Sequence, residues 1–222
     1  MRALTAVSAF VISAAAMATI LDKVDLTRKY KEGETNKYAV SVKMEEGNSQ
    51  EISGKVLVKV KKAPAGKLAE VEMLASDVKM LNDGQAADSP TPPPTTFNLD
   101  EHQIPEALSV GGDETIYTAL SVASYLPAKP LEAGEMFHIN WKSKVDGSKI
   151  EGDGKLVEVT EKDGKKLAHL KSKVDFLPGN QKDGAEMEID STFDLATGWL
   201  VDSKVKGTVP NGTFLLSISL SK

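Results

Sequence analysis

Nothing constrains the fold of this chain more than the strict alternation of apolar and polar side chains in short segments. Tyr38, Val40, Val42 and Met44 alternate with Ala39, Ser41 and Lys43, and Val56, Val58 and Val60 follow with Leu57 and Lys59 between them. Val71, Met73 and Ala75 repeat the pattern, as do Met187, Ile189, Ser191 and Phe193, and finally Phe214, Leu216, Ile218 and Leu220. A period of two sends successive side chains to opposite faces of a strand. One face is then apolar and the other wet, which is the signature of an antiparallel sheet. The breaks between segments agree. Asp-Gly occurs at Asp83-Gly84, Asp146-Gly147, Asp153-Gly154, Asp163-Gly164 and Asp183-Gly184, and Asn211-Gly212 precedes the last strand. These pairs accept the positive φ angles of tight hairpin turns, so a meander of hairpins is expected.

The alternating segments also recur in a fixed order. Lys31-Glu32-Gly33-Glu34 is echoed by Glu132-Ala133-Gly134-Glu135. Gly54-Lys55-Val56 matches Gly154-Lys155-Leu156, Lys67-Leu68-Ala69 matches Lys166-Leu167-Ala168, and Phe97-Asn98-Leu99 matches Phe193-Asp194-Leu195. Each match is short, but their order points to two homologous units, residues 24–110 and 131–220. Between them, Ile116, Leu120 and Ala123 fall on one helical face, Asp113 can cap the start and Pro127 closes the segment, so residues 113–126 form a helix. Pro90, Pro92, Pro93 and Pro94 keep their segment out of any sheet interior. The expected fold is all-β with one helix: a large curved antiparallel sheet or open barrel, built from two tandem meander repeats joined by that helix.

Residues 1–18 read as a cleavable signal peptide. A charged start at Arg2 leads into an apolar stretch, and Ala16-Met17-Ala18 supplies the small-x-small cleavage pattern. The competing assignment is an uncleaved anchor, since the uncharged run continues to Leu21, but its alanine content makes it weakly hydrophobic. Residues 19–222 are then a single β domain, periplasmic or extracellular, with no transmembrane anchor after cleavage. Cysteine is absent, so the domain is held without disulfides and carries no lipid-modified cysteine. The net charge is −5, and acidic and basic residues are interleaved. Nucleic acid and anionic membrane surfaces are therefore not expected partners.

No catalytic constellation is visible, and the chain is expected not to be an enzyme. Cysteine is missing as a nucleophile, and no Gly-x-Ser-x-Gly elbow occurs. His102, His138 and His169 lack metal-ligand spacing; Asp100-Glu101-His102 is the densest ligand-like run, and adjacent residues on a turn diverge. Glu151-Gly152-Asp153-Gly154 lacks the spacing of a calcium loop and reads as a hairpin turn. Asp113 and Glu114 oppose a phosphate after Gly111-Gly112. No cofactor is expected.

The Lys31–Glu34 opening and its echo at Glu132–Glu135, ahead of alternating strands and behind a signal peptide, resemble uncharacterised exported bacterial β proteins. In layout, a curved sheet with one helical lid also resembles the periplasmic lipoprotein carriers and lipid-binding lipoproteins. That resemblance implies a half-barrel whose concave face holds acyl chains; it carries over no individual residue. Ile116, Leu120 and Ala123 would then face inward, opposite Val40, Val42, Trp141 and Trp199, as an apolar ligand site. Two functions follow as expectations: a non-catalytic carrier of an apolar small molecule, or an interaction module that meets another envelope protein. An apolar internal cavity favours the first. A filled core with an exposed apolar patch favours the second.

Overall fold

The computed structural model describes residues 23–89, 91–103, 115–177, 179 and 184–221. Its elements are β1 (Thr35–Glu46), β2 (Asn48–Lys62), β3 (Ala69–Asn82), β4 (Gln85–Ala87), β5 (Thr95–Leu99) and α1 (Thr115–Ala123). After the helix come β6 (Met136–Lys142), β7 (Lys149–Lys162), β8 (Lys165–Leu177), β9 (Ala185–Asp194), β10 (Leu200–Val209) and β11 (Gly212–Leu220). All strands join one antiparallel sheet in the order β4-β3-β2-β1-β11-β10-β9-β8-β7-β6, with β5 on the other half of the free edge of β3. The sheet is not closed. The last strand zips onto the first, Val40 opposite Ile218 and Val42 opposite Leu216, so the end of the chain joins the two halves.

Turn chemistry sets the registers. Asp83-Gly84 and Asp163-Gly164 each take positive φ at both residues and close two-residue hairpins, Asn82 facing Gln85 and Lys162 facing Lys165. The wet face adds a charge code. Asp190 lies opposite both Lys171 and Lys204, and Glu188 opposite both Lys173 and Lys206. A one-residue slip would set the apolar faces against the charged ones.

The two halves share their pairing. Gly33 and Gly134 both adopt positive φ and donate to Val60 O and Leu156 O, while Val60 N and Leu156 N bond back to Glu34 O and Glu135 O. The register shifts that follow, Val60/Lys62 and Leu156/Glu158, occur at corresponding places. Ala69 and Ala168, each after a Lys-Leu pair, are both buried. Two sequence matches need correcting. Ala69 pairs with Leu99 and Ala168 with Phe193, so Leu99, not Phe97, holds the place of Phe193. Asp100 and Asp194 then coincide, each accepting from the amide two residues on and ending its strand in a turn. Val58 faces Asn36 and Gly154 faces Phe137 directly after the matched turns, so Val58, not Gly54, holds the place of Gly154.

Other expectations also change. Glu151–Gly154 is not a turn but the middle of β7. A Cβ on Gly154 would come within 2.2 Å of the Phe137 ring, and one on Gly207 within 2.1 Å of Phe214. Each glycine faces that phenylalanine across the strand pair, so the ring lies over the bare backbone. The last hairpin turns at Pro210-Asn211, since Val209 already faces Gly212. The helix ends at Ala123 rather than 126, because Leu126 N leaves to bond His102 O at 3.1 Å. The signal peptide, Gly111-Gly112, Asp113 as a cap, and the Asp183 turn lie outside the described residues. No helix among the described residues is long and apolar enough to cross a membrane.

Candidate functional site

The residues expected to line a ligand surface pack against the rest of the protein instead. Ile116, Leu120 and Ala123 of α1, Val40 and Val42 of β1, and Trp199 are all buried in one apolar core, with Trp141 packed partly exposed against it. The helix is pinned at both ends by hydroxyls. Tyr117 Oη accepts from Ala75 N at 2.9 Å and donates to Pro93 O at 3.2 Å. Ser191 Oγ lies 3.1 Å from Ala123 O and 2.8 Å from Ser203 Oγ, so it bonds the helix end to β9 and β10. Between the helix end and β6–β9 runs an apolar cleft lined by Val122, Tyr125, Ile139, Leu170, Ile189 and Phe193, with free space of about 10 Å³. That is room for a single water, against several hundred cubic ångströms in a typical ligand site.

Trp199 lies in a polar cluster instead of facing α1 across a cavity. The Arg28 guanidinium lies over its indole. Arg28 Nη2 pairs with Glu34 Oε2 at 3.2 Å, Arg28 Nη1 donates to Thr197 O, and Trp199 Nε1 donates to Glu34 Oε1 at 2.5 Å. The Tyr30 ring meets the same indole edge-on. Gln103 Nε2 donates to Gly198 O at 3.0 Å, and Arg28 N to Glu101 O at 2.7 Å. Gly198 must be glycine: its φ is +70°, and a Cβ would meet Arg28 Cα at 3.0 Å. Burial lowers the Arg28 pKa to about 10, with Glu34 opposing the shift. Three chain segments meet at this cluster, residues 27–34, 100–103 and 197–200. Sequence reasoning missed it. The available signal was that Arg28 is the only arginine after Arg2.

Beside the cluster, an open groove of about 540 Å³ is lined by Arg28, Tyr30, Lys67, Asp100 and His102. Asp100 and His102 belong to the triplet considered as a metal site. Asp100 Oδ1 accepts from His102 N at 2.8 Å, so it is used to cap its own turn, and the Glu101 side chain is 68% exposed. Among the described residues no group of three or more His, Asp or Glu is placed to hold a metal ion.

The wet face carries two shallow troughs of about 760 and 710 Å³. The second is flanked by Met136 and Leu215, which are 56% and 53% exposed. His138 Nδ1 pairs with Asp153 Oδ1 at 3.0 Å, and His169 Nε2 with Asp190 Oδ1 at 2.5 Å. Partial burial would raise the Asp190 pKa, but the bonds from His169 and Lys171 outweigh it and hold the carboxyl below its usual range.

The two sheet edges differ. At one end β4 has three residues and β5 five, the latter following Pro92, Pro93 and Pro94. At the other end β6 runs for seven residues, pairs with β7 without a bulge, and among the described residues has no second strand partner. Comparison of the chain with protein-family models and with curated proteins finds no match.

Proposed function

We propose that this chain is an exported, non-catalytic binding protein that works by docking against other protein surfaces. The buried state of the expected ligand residues carries this reading: Ile116, Leu120, Ala123, Val40 and Val42 pack into one core and the cleft at the helix end holds about 10 Å³, while apolar side chains and an unblunted strand edge face outward. The shared turns and register shifts of the two halves support an origin by tandem duplication. Such an origin accounts for a sheet broad enough to present two wet troughs and two different edges.

A second reading rests on a specific feature. The cleft beneath the helix end is apolar, so displacement of α1 would uncover a wall suited to a lipid or acyl chain, as the resemblance to lipid-binding half-barrels implies. Ser191 and Ser203 would still satisfy each other after such a displacement.

Native mass spectrometry of protein recovered from its own envelope fraction, paired with lipid extraction, separates the two. Docking predicts masses made up of protein chains alone, the single chain or its protein complexes, with no lipid adduct. A stoichiometric lipid adduct, lost when Leu120 is changed to Lys in a protein that still folds, would establish carriage instead.

A further inference from the structure

Natural sheets blunt their exposed edges with short strands, prolines, bulges or inward-pointing charges, because a free edge is a template for another strand. The β4/β5 edge has several of these devices. Strand β6 has none. Its inward residues Phe137, Ile139 and Trp141 are all apolar, its seven residues contain no proline, and its pairing with β7 is regular. Trp141 is only partly buried although it sits on the core side. The edge is therefore long enough, regular enough and apolar enough to accept a strand.

The sequence of β6 specifies which strand fits. We infer that β6 pairs antiparallel with β6 of a second copy of this chain, about a two-fold axis at Ile139. In that register Phe137 faces the second copy's Trp141 twice over, Ile139 faces itself, His138 faces Asn140, and Met136 faces Lys142. All three inward apolar residues are paired with apolar partners, and the partly buried Trp141 is covered by an aromatic ring. No two like charges are opposed. Shifting the axis by one residue in either direction brings His138 against His138 or Asn140 against Asn140 and leaves Trp141 facing Glu135 or Phe137 facing Ser143. A half-residue shift sets the apolar face against the wet one. Within one chain Lys142 already lies opposite Lys149, an unfavourable like-charge pair, so its other side suits a neutral or acidic neighbour. The interface is isologous, as closed two-fold pairing requires. This inference rests on the docking reading above and names its partner.

Met136 is the position that tests it, since it is exposed on the wet face and its replacement leaves the core untouched. Sedimentation velocity over a concentration series, at low ionic strength, should show a reversible monomer–dimer equilibrium for the native sequence. Met136→Lys sets one lysine against Lys142 at each of the two symmetry-related contacts and should weaken the dimer about tenfold. Met136→Glu should tighten it by a similar factor, and Met136→Lys with Lys142→Glu should restore it. Thermal unfolding followed by circular dichroism checks that every variant keeps the fold. A monomer at all concentrations, or one dissociation constant for Lys and Glu at 136, overturns the inference. A lipid-free monomer removes self-pairing alone, whereas a bound lipid in the native mass spectrum removes the docking reading beneath it.

Discussion

Arg28 lies with its guanidinium over the indole of Trp199, and Glu34 holds both groups, one through each carboxylate oxygen. This arrangement ties the segment ahead of β1 to the turn between β9 and β10. It is a buried charge held by Glu34, the Thr197 carbonyl and the indole face, the kind whose removal leaves a partner stranded. Arg28→Met should cost about 3 kcal/mol of stability, measured by urea denaturation, with a red shift in tryptophan emission. Arg28→Lys should also destabilise, because an ammonium cannot reproduce the planar fork. A loss below about 1 kcal/mol, the size of a surface ion pair, would contradict the role assigned to this cluster.

Gly154 and Gly207 should not accept even one methyl group. Gly154→Ala drives a Cβ into the Phe137 ring, and Gly207→Ala does the same against Phe214. Overpacking of this kind costs about 1–3 kcal/mol. Shrinking the ring should relieve it, so a double-mutant cycle of Gly154→Ala with Phe137→Leu should be clearly non-additive. Additive losses would show that the ring does not rest on the glycine.

Alkaline pH should unfold the protein through its tyrosines. Burial raises the pKa of Tyr30 and Tyr38 well above 10, with the Arg28 charge opposing the shift in each case. A phenol raised in the fold contributes stability that is complete below its unfolded value and is lost as pH climbs above it. Arg28 acts in the opposite sense: its pKa is lowered to about 10, so the unfolded chain binds that proton more tightly and the fold gains as pH climbs above that value. Over the same pH rise two tyrosines lose stability while one arginine gains it, so the net effect is destabilising. Phenolate absorbance should therefore show part of the four tyrosines ionising only together with loss of near-ultraviolet circular dichroism. Smooth titration of all four in folded protein would count against the burial described.

The sheet was legible in the sequence because alternation is a local signal, and so were the turns at Asp83-Gly84 and Asp163-Gly164. The turn reading failed at Asp153-Gly154, where the glycine answers a ring on the neighbouring strand, a demand invisible along the chain. Between the halves, Gly33 and Gly134 share a positive φ and the same exchange of backbone bonds, a local demand that the residue type shows. Phe97 and Phe193 do not pair alike, since Ala69 faces Leu99 where Ala168 faces Phe193 and any apolar residue suits that face. The helix face Ile116, Leu120 and Ala123 was found from its period, yet its period could not tell a lid over a cavity from a plug in a core. The Arg28 cluster was not found, since its members come from three distant segments and form no motif.

Whether α1 is a fixed plug is the claim on which the functional account turns, and hydrogen–deuterium exchange of the α1 amides tests it most directly. A fixed plug gives slow exchange over residues 116–123, comparable with the facing strands β9 and β10, and unchanged by added phospholipid vesicles or free fatty acid. Rapid exchange in α1 over a protected sheet, or deprotection of α1 on adding lipid, would contradict it and return the concave face to the role of a ligand site.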